Sequence, residues 1–558
     1  MMRRFLVAVA VTAAVLLFLA ANRGAYEGYF SADDLDTLSW AKSVSPGEFV
    51  REFLKPFYST SHFRPVGHLA YHVLVRVAGF DYRAYVAFLH AVHMVNALLV
   101  LILLRRFQIS WQGAVFGAFF FLFPVAVADA FWKPMYVFDV LCALGVLLAL
   151  LTYVSGRTVL ALAFFWLACK SKEHAAMLAL VLAGYEYAFG GRRWRKLIPF
   201  GVIAAAFVTS ALMQRQPPDS SYATRFSIPV LVRTTSFYVS RMLLYPYLGV
   251  AALALPRFVN DRRVWFGLAG FAFLLGPLLT VPGRLSPAYL YVPLIFLSLA
   301  LATAASRLSH AAAAIVLLIW IPLNYAHLRK YRRTELTLAA DRREYKAVVD
   351  HLPRDWPDTK QFVYDGRPED FAAWGILGAL RIAYSREVEL ISMEQREQLP
   401  DDFWTRSVVV LGWNPALRKL TAFGRRENQP DETYVTVSQT MPVWQLGRGW
   451  YPVEGKFRWT KPEAEARVRR PEGTTRFEVS VLAGPDYIKR VQRARIRVFA
   501  DGVEVGSGEH SAAGWHVYRF SAPGPAGTVR LRFVTEPPLQ PNPWDSPLGS
   551  AVGGFGFR

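Results

Sequence analysis

Acidic residues are scarce in the first part of this chain. Of the 42 Asp and Glu residues in its 558 positions, only 13 lie in residues 1–325, where Lys and Arg number 28. Residues 326–558 hold 29 acidic and 35 basic residues, the ordinary balance of a soluble region. The net charge of +21 does not indicate a nucleic-acid partner, because Lys and Arg gather in the cytoplasmic loops of membrane proteins.

Cysteine is nearly absent as well. Cys142 and Cys169 are the only two, and each lies inside an apolar run, which excludes a disulfide-stabilised scaffold. Hydrophobic residues make up 53% of the chain, which excludes a disordered protein.

What the first part has instead is a series of long apolar runs. About 20 apolar residues cross a bilayer. The sequence predicts a polytopic α-helical membrane protein with about eleven spans, near residues 5–21, 85–104, 111–129, 135–154, 157–170, 173–189, 196–213, 235–255, 264–281, 287–305 and 309–325. The first span resembles a signal peptide, but no convincing small-residue cleavage site follows it, so we expect a membrane anchor.

The basic residues of the short loops gather on one side of the predicted bilayer, which is the cytoplasmic side. The loop of residues 22–84 then lies outside, where its amphipathic stretches predict helices on the membrane surface. Eleven spans place the C-terminal tail outside too, although Arg329, Lys330, Arg332 and Arg333 favour the opposite side. The sequence has no endoplasmic-reticulum retrieval signal, and we expect a bacterial inner membrane with the site facing the periplasm.

Most acidic residues of the first part fall near that outer face. The candidate site residues among them are Asp33, Asp34, Asp129, Asp139 and Glu173. The basic residues on the same face are Arg64, Lys133, Lys170, Lys172, Arg225, Arg233 and Arg284. An ionisable group at a membrane is costly and indicates function by default. Carboxylates beside cations predict a site that binds a lipid-linked phosphate and removes a proton from an acceptor.

Two of these acidic motifs also have structural explanations. The pair Asp33-Asp34 directly follows a span and suits a solvated helix cap. The dipeptide Lys172-Glu173 suits an ion pair at the start of a helix, where the helix dipole favours a carboxylate.

Two other polar pairs have structural explanations too. His90 and His93 share one face of a helix, where core hydrogen bonding is favoured over a metal site. Tyr289 and Tyr291 suit an aromatic belt at the membrane interface.

The order of motifs along residues 1–325 resembles the GT-C superfamily of glycosyltransferases, nearest to the protein O-mannosyltransferases and their bacterial relatives. The matching residues, in chain order, are Asp33-Asp34 in FSADDLDTL, Arg64-Pro65, His93, Asn96, Pro124, Asp129, Trp132, Asp139, Lys172-Glu173, Arg284, Tyr289 and Tyr291. No single one of these motifs is specific for the superfamily, but their order along the chain is. Relatives often carry Glu where this chain has Asp129, and the acidic pair of the eukaryotic enzymes is Asp-Glu, so the sugar and the acceptor stay open.

The resemblance implies a donor sugar on polyprenyl phosphate and an inverting transfer to an acceptor hydroxyl of a glycan, lipid or protein. It implies that Asp33 is the general base and that Asp34 orients the acceptor or holds a metal ion. It also implies that the donor phosphate is bound by Arg284, Lys172, Arg64 and Lys133, with Tyr289 and Tyr291, and that Asp129, Asp139 and Glu173 support the site. The need for a divalent cation, Mg²⁺ or Mn²⁺, stays open, with Asp34, Asp129 and Glu173 as candidate ligands.

The C-terminal part contains two kinds of pattern. Residues 340–450 alternate helix and strand signals, with a helix in EDFAAWGILGALRIAY and strands in KQFVYDG and SVVVLGWN, which predicts a small α/β domain. It has no Gly-rich phosphate loop, so no nucleotide site is expected. Residues 451–558 alternate with period two in several short runs and predict a β-sandwich of the jelly-roll type.

This sandwich is similar to carbohydrate-binding modules. A Trp exposed on its surface is a candidate for stacking on a sugar ring, whereas a buried one belongs to the core. The Trp residues in question are Trp444, Trp450, Trp459, Trp515 and Trp544.

Three other functions compete with a glycosyltransferase. A transporter or flippase of lipid-linked glycans needs polar residues deep in several spans, and these spans offer few. The sequence does not clearly distinguish a glycosyltransferase from a polymerase or ligase of lipid-linked glycans. A glycan-binding membrane anchor without chemistry predicts that the tail alone binds sugar.

Overall fold

The computed structural model describes residues 2–41, 44–58, 63–214, 217, 220–399, 403–438, 440–540 and 546–558. The chain forms two compact units, Met1–Ala339 and Ala340–Arg558. The first is built of helices and the second is mostly β-sheet, which confirms the predicted fold class.

Sixteen helices of the described residues belong wholly or partly to the first unit. They are α1 (Met2–Asn22), α2 (Ala32–Ala41), α3 (Pro46–Leu54), α4 (Pro65–Ala78), α5 (Tyr82–Arg106), α6 (Trp111–Leu122), α7 (Ala128–Trp132), α8 (Val137–Val154), α9 (Thr158–Ser171), α10 (Leu178–Ala188), α11 (Ile198–Met213), α12 (Ile228–Arg241), α13 (Pro246–Leu253), α14 (Arg262–Leu279), α15 (Leu294–Ala305) and α16 (His310–Asp355).

The first unit is an integral membrane unit. Within the described residues, six helical segments are long and apolar enough to cross a bilayer: Tyr82–Arg106, Trp111–Trp132, Pro134–Val154, Trp194–Met213, Arg262–Leu279 and His310–Asp355. The shorter helices Thr158–Ser171 and Leu294–Ala305 are apolar too. The count of about eleven spans stays a prediction.

Two predicted spans differ from the helices observed. The run 235–255 is not one helix, because α12 ends at Arg241 and α13 begins at Pro246. Tyr245 is extended there, with φ −127° and ψ 140°, since a proline disfavours helical geometry in the residue before it. The helix expected at 309–325 continues to Asp355, because no Pro or Gly occurs in the polar residues 326–352 that follow the apolar run.

The centre of the first unit is α15, which is buried along most of its length. Two glycines of α14 allow α15 to approach. A Cβ on Gly267 would lie 2.7 Å from the carbonyl oxygen of Phe296, and one on Gly270 would overlap the Phe296 ring. This close packing fixes the segment 284–293, which carries site residues directly before α15.

The second unit contains a four-stranded sheet in the order β2-β1-β3-β4. Its strands β1, β2 and β3 are parallel, and β4 is antiparallel to β3. The elements are β1 (Gln361–Asp365), α17 (Ala373–Tyr384), β2 (Glu389–Ser392), β3 (Val408–Asn414) and β4 (Lys419–Arg425). The helix and two strands expected within residues 340–450 are therefore present.

Two antiparallel sheets follow, in the orders β11-β10-β13-β8 and β12-β9-β14-β7-β6, with β5 also paired to β14. The elements are β5 (Tyr434–Thr436), β6 (Trp450–Glu454), β7 (Phe457–Thr460), β8 (Glu463–Arg470), β9 (Arg476–Ala483), α18 (Pro485–Val491), β10 (Ala494–Ala500), β11 (Val503–His510), β12 (Gly514–Ser521), β13 (Gly527–Glu536) and β14 (Ala551–Phe557). The jelly-roll topology stays a prediction.

The α/β part and the two-sheet part share one hydrophobic core, in which Val363 and Val410 pack with Val435, Val479 and Phe555. Strand β5 falls within the range expected for the α/β domain, yet it pairs with β14 of the second sheet. A buried ion pair also joins Asp365 of β1 to Arg458 of β7.

The candidate Trp residues differ in exposure. Trp444 is 5% exposed and Trp515 is 48% exposed. Trp450 and Trp459 are half-buried, and Trp544 lies outside the described residues. Only Trp515 among the four described presents a large part of its ring to solvent.

Candidate active site

The acidic pair lies in the first turn of α2, and its two members differ. The Ser31 backbone N–H and hydroxyl donate to Oδ2 of Asp34, at 2.6 and 2.7 Å, and the Asp34 N–H donates back to the Ser31 hydroxyl at 3.3 Å. This reciprocal arrangement is a capping box, which stabilises the start of a helix. The Tyr71 hydroxyl of α4 donates to the other oxygen, Oδ1 of Asp34.

These contacts make Asp34 a buried structural carboxyl. Its side chain is 0% exposed, and burial raises its pKa to about 6, against the lowering effect of the hydrogen bonds from Tyr71 and Ser31. Asp33 is only half-buried. Of the pair, Asp33 is therefore the carboxyl that a substrate can reach.

Arg64 and Glu173 form the first ion pair of the predicted phosphate site. Arg64 is the N-cap residue of α4, and its Nε lies 2.7 Å from Oε1 of Glu173. The guanidinium also lies 5.6 Å from the centre of the Phe138 ring. The charge and hydrogen bond of Arg64 compensate for the partial burial of the Glu173 carboxylate.

Lys172 and Asp139 form the second ion pair. Nζ of Lys172 lies 2.8 Å from Oδ2 of Asp139 and 4.7 Å from the centre of the Tyr289 ring. Asp139 lies in the first turn of α8 and is 0% exposed. The side chain of Lys172 is 11% exposed, so this pair is more deeply enclosed than the first.

Arg284 differs from these two cations. Its Nε donates to the Ser221 hydroxyl at 3.1 Å, and its guanidinium lies 4.1 Å from the centre of the Tyr222 ring. Among the residues that the structure describes, no carboxylate lies within ion-pair distance of it. The Arg225 N–H donates to the Thr280 carbonyl at 2.7 Å and holds this segment in place. Within the described part of the chain, Arg284 thus offers a positive charge that no carboxylate neutralises.

Lys133 lies in a separate cluster. Its Nζ is 3.1 Å from Oδ1 of Asp129 and 2.8 Å from Oε2 of Glu335, and the Tyr331 hydroxyl donates to Asp129. Two carboxylates therefore surround this lysine, and the cluster joins α7 to α16. Tyr136 lies within electrostatic reach of both Asp129 and Asp139, and the roles that the resemblance implies for Lys133 and Asp129 stay predictions.

Tyr291 makes a different set of hydrogen bonds. Its hydroxyl is 2.7 Å from Nδ1 of His93 and accepts a hydrogen bond from Asn96 at 3.2 Å. All three side chains are buried, and the structural explanation for His93 holds here. Over the described ranges, no group of three or more His, Cys, Asp or Glu residues is placed to hold a metal ion. The need for a divalent cation stays a prediction, and no step is assigned to one.

Sequence reasoning missed several polar residues near Lys172. His174 lies in the short 3₁₀ helix that Glu173 begins, within electrostatic reach of Asp139 and Lys172. Its Nε2, Oδ1 of Asp139 and the hydroxyl of Tyr238 are buried and have no hydrogen-bond partner among the described residues. Buried polar atoms of this kind usually bind water or a ligand. His174 directly follows Lys172-Glu173, and this position could have indicated it. Nothing in the sequence around Tyr238 indicates a site residue.

Comparison with known proteins adds a likeness in fold. A scan against protein-family profiles found no match, and neither did a search of the curated proteins. Among solved structures, the chain is similar to ArnT from Cupriavidus metallidurans, with 12% identity and a TM-score of 0.47 over 75% of this chain and 94% of that one. It is also similar to the oligosaccharyltransferase AglB from Archaeoglobus fulgidus in complex with an inhibitory peptide and a dolichol-phosphate, with 10% identity, a TM-score of 0.44 and coverage of 98% and 96%.

A third similar structure is the arabinosyltransferase EmbB from Mycobacterium smegmatis, with 10% identity, a TM-score of 0.35 and coverage of 98% and 64%. ArnT, AglB and EmbB are all membrane glycosyltransferases of the GT-C superfamily, the one that the ordered motifs resemble. At these identities and TM-scores, the likeness assigns no role to any residue of this chain.

Proposed function

We propose that this protein is an inverting glycosyltransferase that moves a sugar from a polyprenyl-phosphate donor to an acceptor hydroxyl of a glycan, lipid or protein. The observation that carries the proposal is that the two carboxyls of the acidic pair differ in accessibility and lie near several cations. Asp34 is fixed by Ser31 and Tyr71, which leaves Asp33 as the reachable base. We place the site on the outer face of a bacterial inner membrane.

The acid pair and the cations are connected through two aromatic rings. The ring of Tyr71, which holds Asp34, lies 6.2 Å from the ring of Phe138, centre to centre. The guanidinium of Arg64 lies above the same Phe138 ring. One packed assembly therefore positions the proposed base and the proposed phosphate site.

The charges of the cluster support a donor with a single phosphate. Arg64, Lys172 and Arg284 carry three positive charges, and Glu173 and Asp139 offset two of them. The remaining charge matches the one negative charge of a phosphodiester, the linkage between a sugar and polyprenyl phosphate. Because Arg284 lacks a carboxylate partner among the described residues, it is the first phosphate ligand in this proposal, with Tyr222 and Tyr289 beside it.

In the proposed reaction, Asp33 accepts the proton of the acceptor hydroxyl as the oxygen attacks the anomeric carbon. The bond from that carbon to the phosphate oxygen breaks, and its electron pair leaves with polyprenyl phosphate. Arg284, assisted by Arg64 and Lys172, stabilises the charge that develops on the phosphate. Attack opposite the leaving group inverts the anomeric centre.

The test measures release of polyprenyl phosphate from radiolabelled polyprenyl-phosphate sugars by the full chain in nanodiscs, with sugar and peptide acceptors. We expect Asp33→Asn to lower turnover by at least about 100-fold. Asp36→Asn is the matched control, since Asp36 lies in the same helix. Unchanged turnover in Asp33→Asn overturns the proposal. Donor binding without release by the unaltered protein indicates a transporter instead, and absence of donor binding indicates an anchor.

A further inference from the structure

The outer face of the larger sheet in the second unit carries an exposed stripe along β12. Residues of β12 alternate in exposure, and Trp515, Val517 and Arg519 lie on the outward face. Trp515 is 48% exposed and Val517 is 45% exposed. Exposed apolar side chains next to one another on a rigid sheet mark a binding surface more often than isolated ones do.

The edge of the Trp515 ring lies against a glycine of β14. A Cβ on Gly553 would come within 2.6 Å of Cη2 of Trp515, so any other residue would lift the ring away from the sheet. This contact limits where the ring can stand, and about half of the Trp515 side chain faces solvent. Gly553 lies where the register of β14 against β9 shifts, between Val552 and Gly554.

The other end of the stripe is positively charged. Glu478 is almost fully buried, and it accepts from Nε of Arg519 at 3.0 Å and from the Tyr434 hydroxyl at 3.3 Å. Arg558 lies 3.5 Å from the same carboxylate and stacks over Tyr434 at 4.0 Å. The two arginine side chains are 54% and 57% exposed. Two exposed guanidinium groups thus share one buried carboxylate, and donors remain free to face solvent.

We propose that this face, formed by Trp515, Val517, Arg519 and Arg558, binds an anionic oligosaccharide. One pyranose ring stacks its apolar C–H face on Trp515, and a carboxylate further along the chain pairs with Arg519 and Arg558. Trp515 and Arg519 are four residues apart on one strand, which is a separation of about 13 Å. That distance suits two or three linked sugars. This binding site does not depend on the proposed transfer reaction.

The charges of Arg519 and Arg558 favour an anionic ligand over a neutral one. A neutral sugar would use Trp515 but would gain nothing from two guanidinium groups, whereas a uronate satisfies both features. Planar guanidinium groups bind carboxylates with two parallel hydrogen bonds, which also fixes the direction of the sugar chain along β12.

The test is calorimetric titration of the full chain in nanodiscs with trigalacturonate and with maltotriose, a neutral trisaccharide. We expect trigalacturonate to bind at least about tenfold more tightly than maltotriose. Trp515→Ala should weaken trigalacturonate binding about tenfold. Arg519→Gln should reduce the preference for the acidic sugar and leave maltotriose binding unchanged.

Gly553→Ala provides an independent check, because it removes no side chain that could contact the sugar but displaces the Trp515 ring. It should weaken binding to the same extent as Trp515→Ala, with Trp515→Phe retaining part of the affinity. Trp374→Ala is the control, since Trp374 is 46% exposed and lies on α17. The proposal is overturned if the unaltered protein binds neither sugar, prefers maltotriose, or binds trigalacturonate equally well without Trp515. Thermal melting of each variant confirms that it is folded.

Discussion

The hydroxyl of Tyr71 donates a hydrogen bond to Oδ1 of Asp34, across 37 residues of sequence. Both side chains are buried, with exposures of 1% and 0%. The bond joins α4 to the capped first turn of α2, so the orientation of the neighbouring Asp33 depends on a residue from another helix. In this respect Tyr71 is a positioning residue for the proposed base.

Removal of that hydroxyl is the first prediction. Tyr71→Phe keeps the ring but leaves Oδ1 of Asp34 without its donor, which costs about 1–3 kcal/mol for a buried polar group. We expect a lower melting temperature and a lower kcat, with KM for the donor little changed. Tyr85→Phe is the matched control, since the Tyr85 hydroxyl donates to the Gly79 carbonyl. Equal loss of kcat in the two variants would contradict a positioning role for Tyr71.

The second prediction concerns pH and Asp34. Its pKa is raised from 3.8 to about 6 in the folded protein, so the folded state binds the proton more tightly than the unfolded state. This contribution to stability is fully present below about pH 3.8 and is lost as pH rises through about 6. The difference in melting temperature between the unaltered protein and Asp34→Asn should therefore change across this range. A pH-independent difference would show that Asp34 does not titrate there.

Local patterns predicted most elements of the second unit but not the assignment of roles in the first. Strands such as β9 and β13 alternate with period two in the sequence, and this signal needs no knowledge of the fold. The separate roles of Asp33 and Asp34 depend on Tyr71, which lies in another helix. A single sequence carries no mark of such a contact, so only the resemblance suggested a role for Asp34, and that role was different.

Lys133 illustrates the same limit more strongly. Its partner Glu335 is 202 positions away and lies in the part of α16 beyond the predicted end of the last span. The apolar run ends near residue 325, but the helix continues, because the polar residues that follow are good helix formers. Because the predicted span ends at residue 325, the sequence does not indicate that Glu335 and Tyr331 lie next to Asp129.

The contrast between Arg284 and Lys133 gives the third prediction. Arg284 has no carboxylate partner among the described residues, whereas Lys133 lies between Asp129 and Glu335. We expect Arg284→Ala to raise KM for the donor and lower kcat, with kcat/KM reduced about 100-fold. Lys133→Met should leave KM within about twofold and lower the melting temperature instead, because it leaves two carboxylates without their cation. Donor kinetics under saturating acceptor separate the two outcomes, and a larger KM effect in Lys133→Met would reverse the assignment.

The last prediction concerns the contact between Gly67 of α4 and the Phe138 ring. A Cβ at position 67 would overlap that ring, which lies between Tyr71 and the Arg64 guanidinium. Gly67→Ala should therefore push α4 outward at a cost of about 1–3 kcal/mol from overpacking. Because α4 carries both Arg64 and Tyr71, activity should fall although no proposed catalytic side chain is altered. Phe138→Leu in the same chain makes room for the new methyl group and should restore part of the melting temperature. Gly47→Ala is the control, since nothing lies within 4 Å of a Cβ at that position. If Gly67→Ala and Gly47→Ala are equally stable and active, the packing of α4 on Phe138 does not hold the site together.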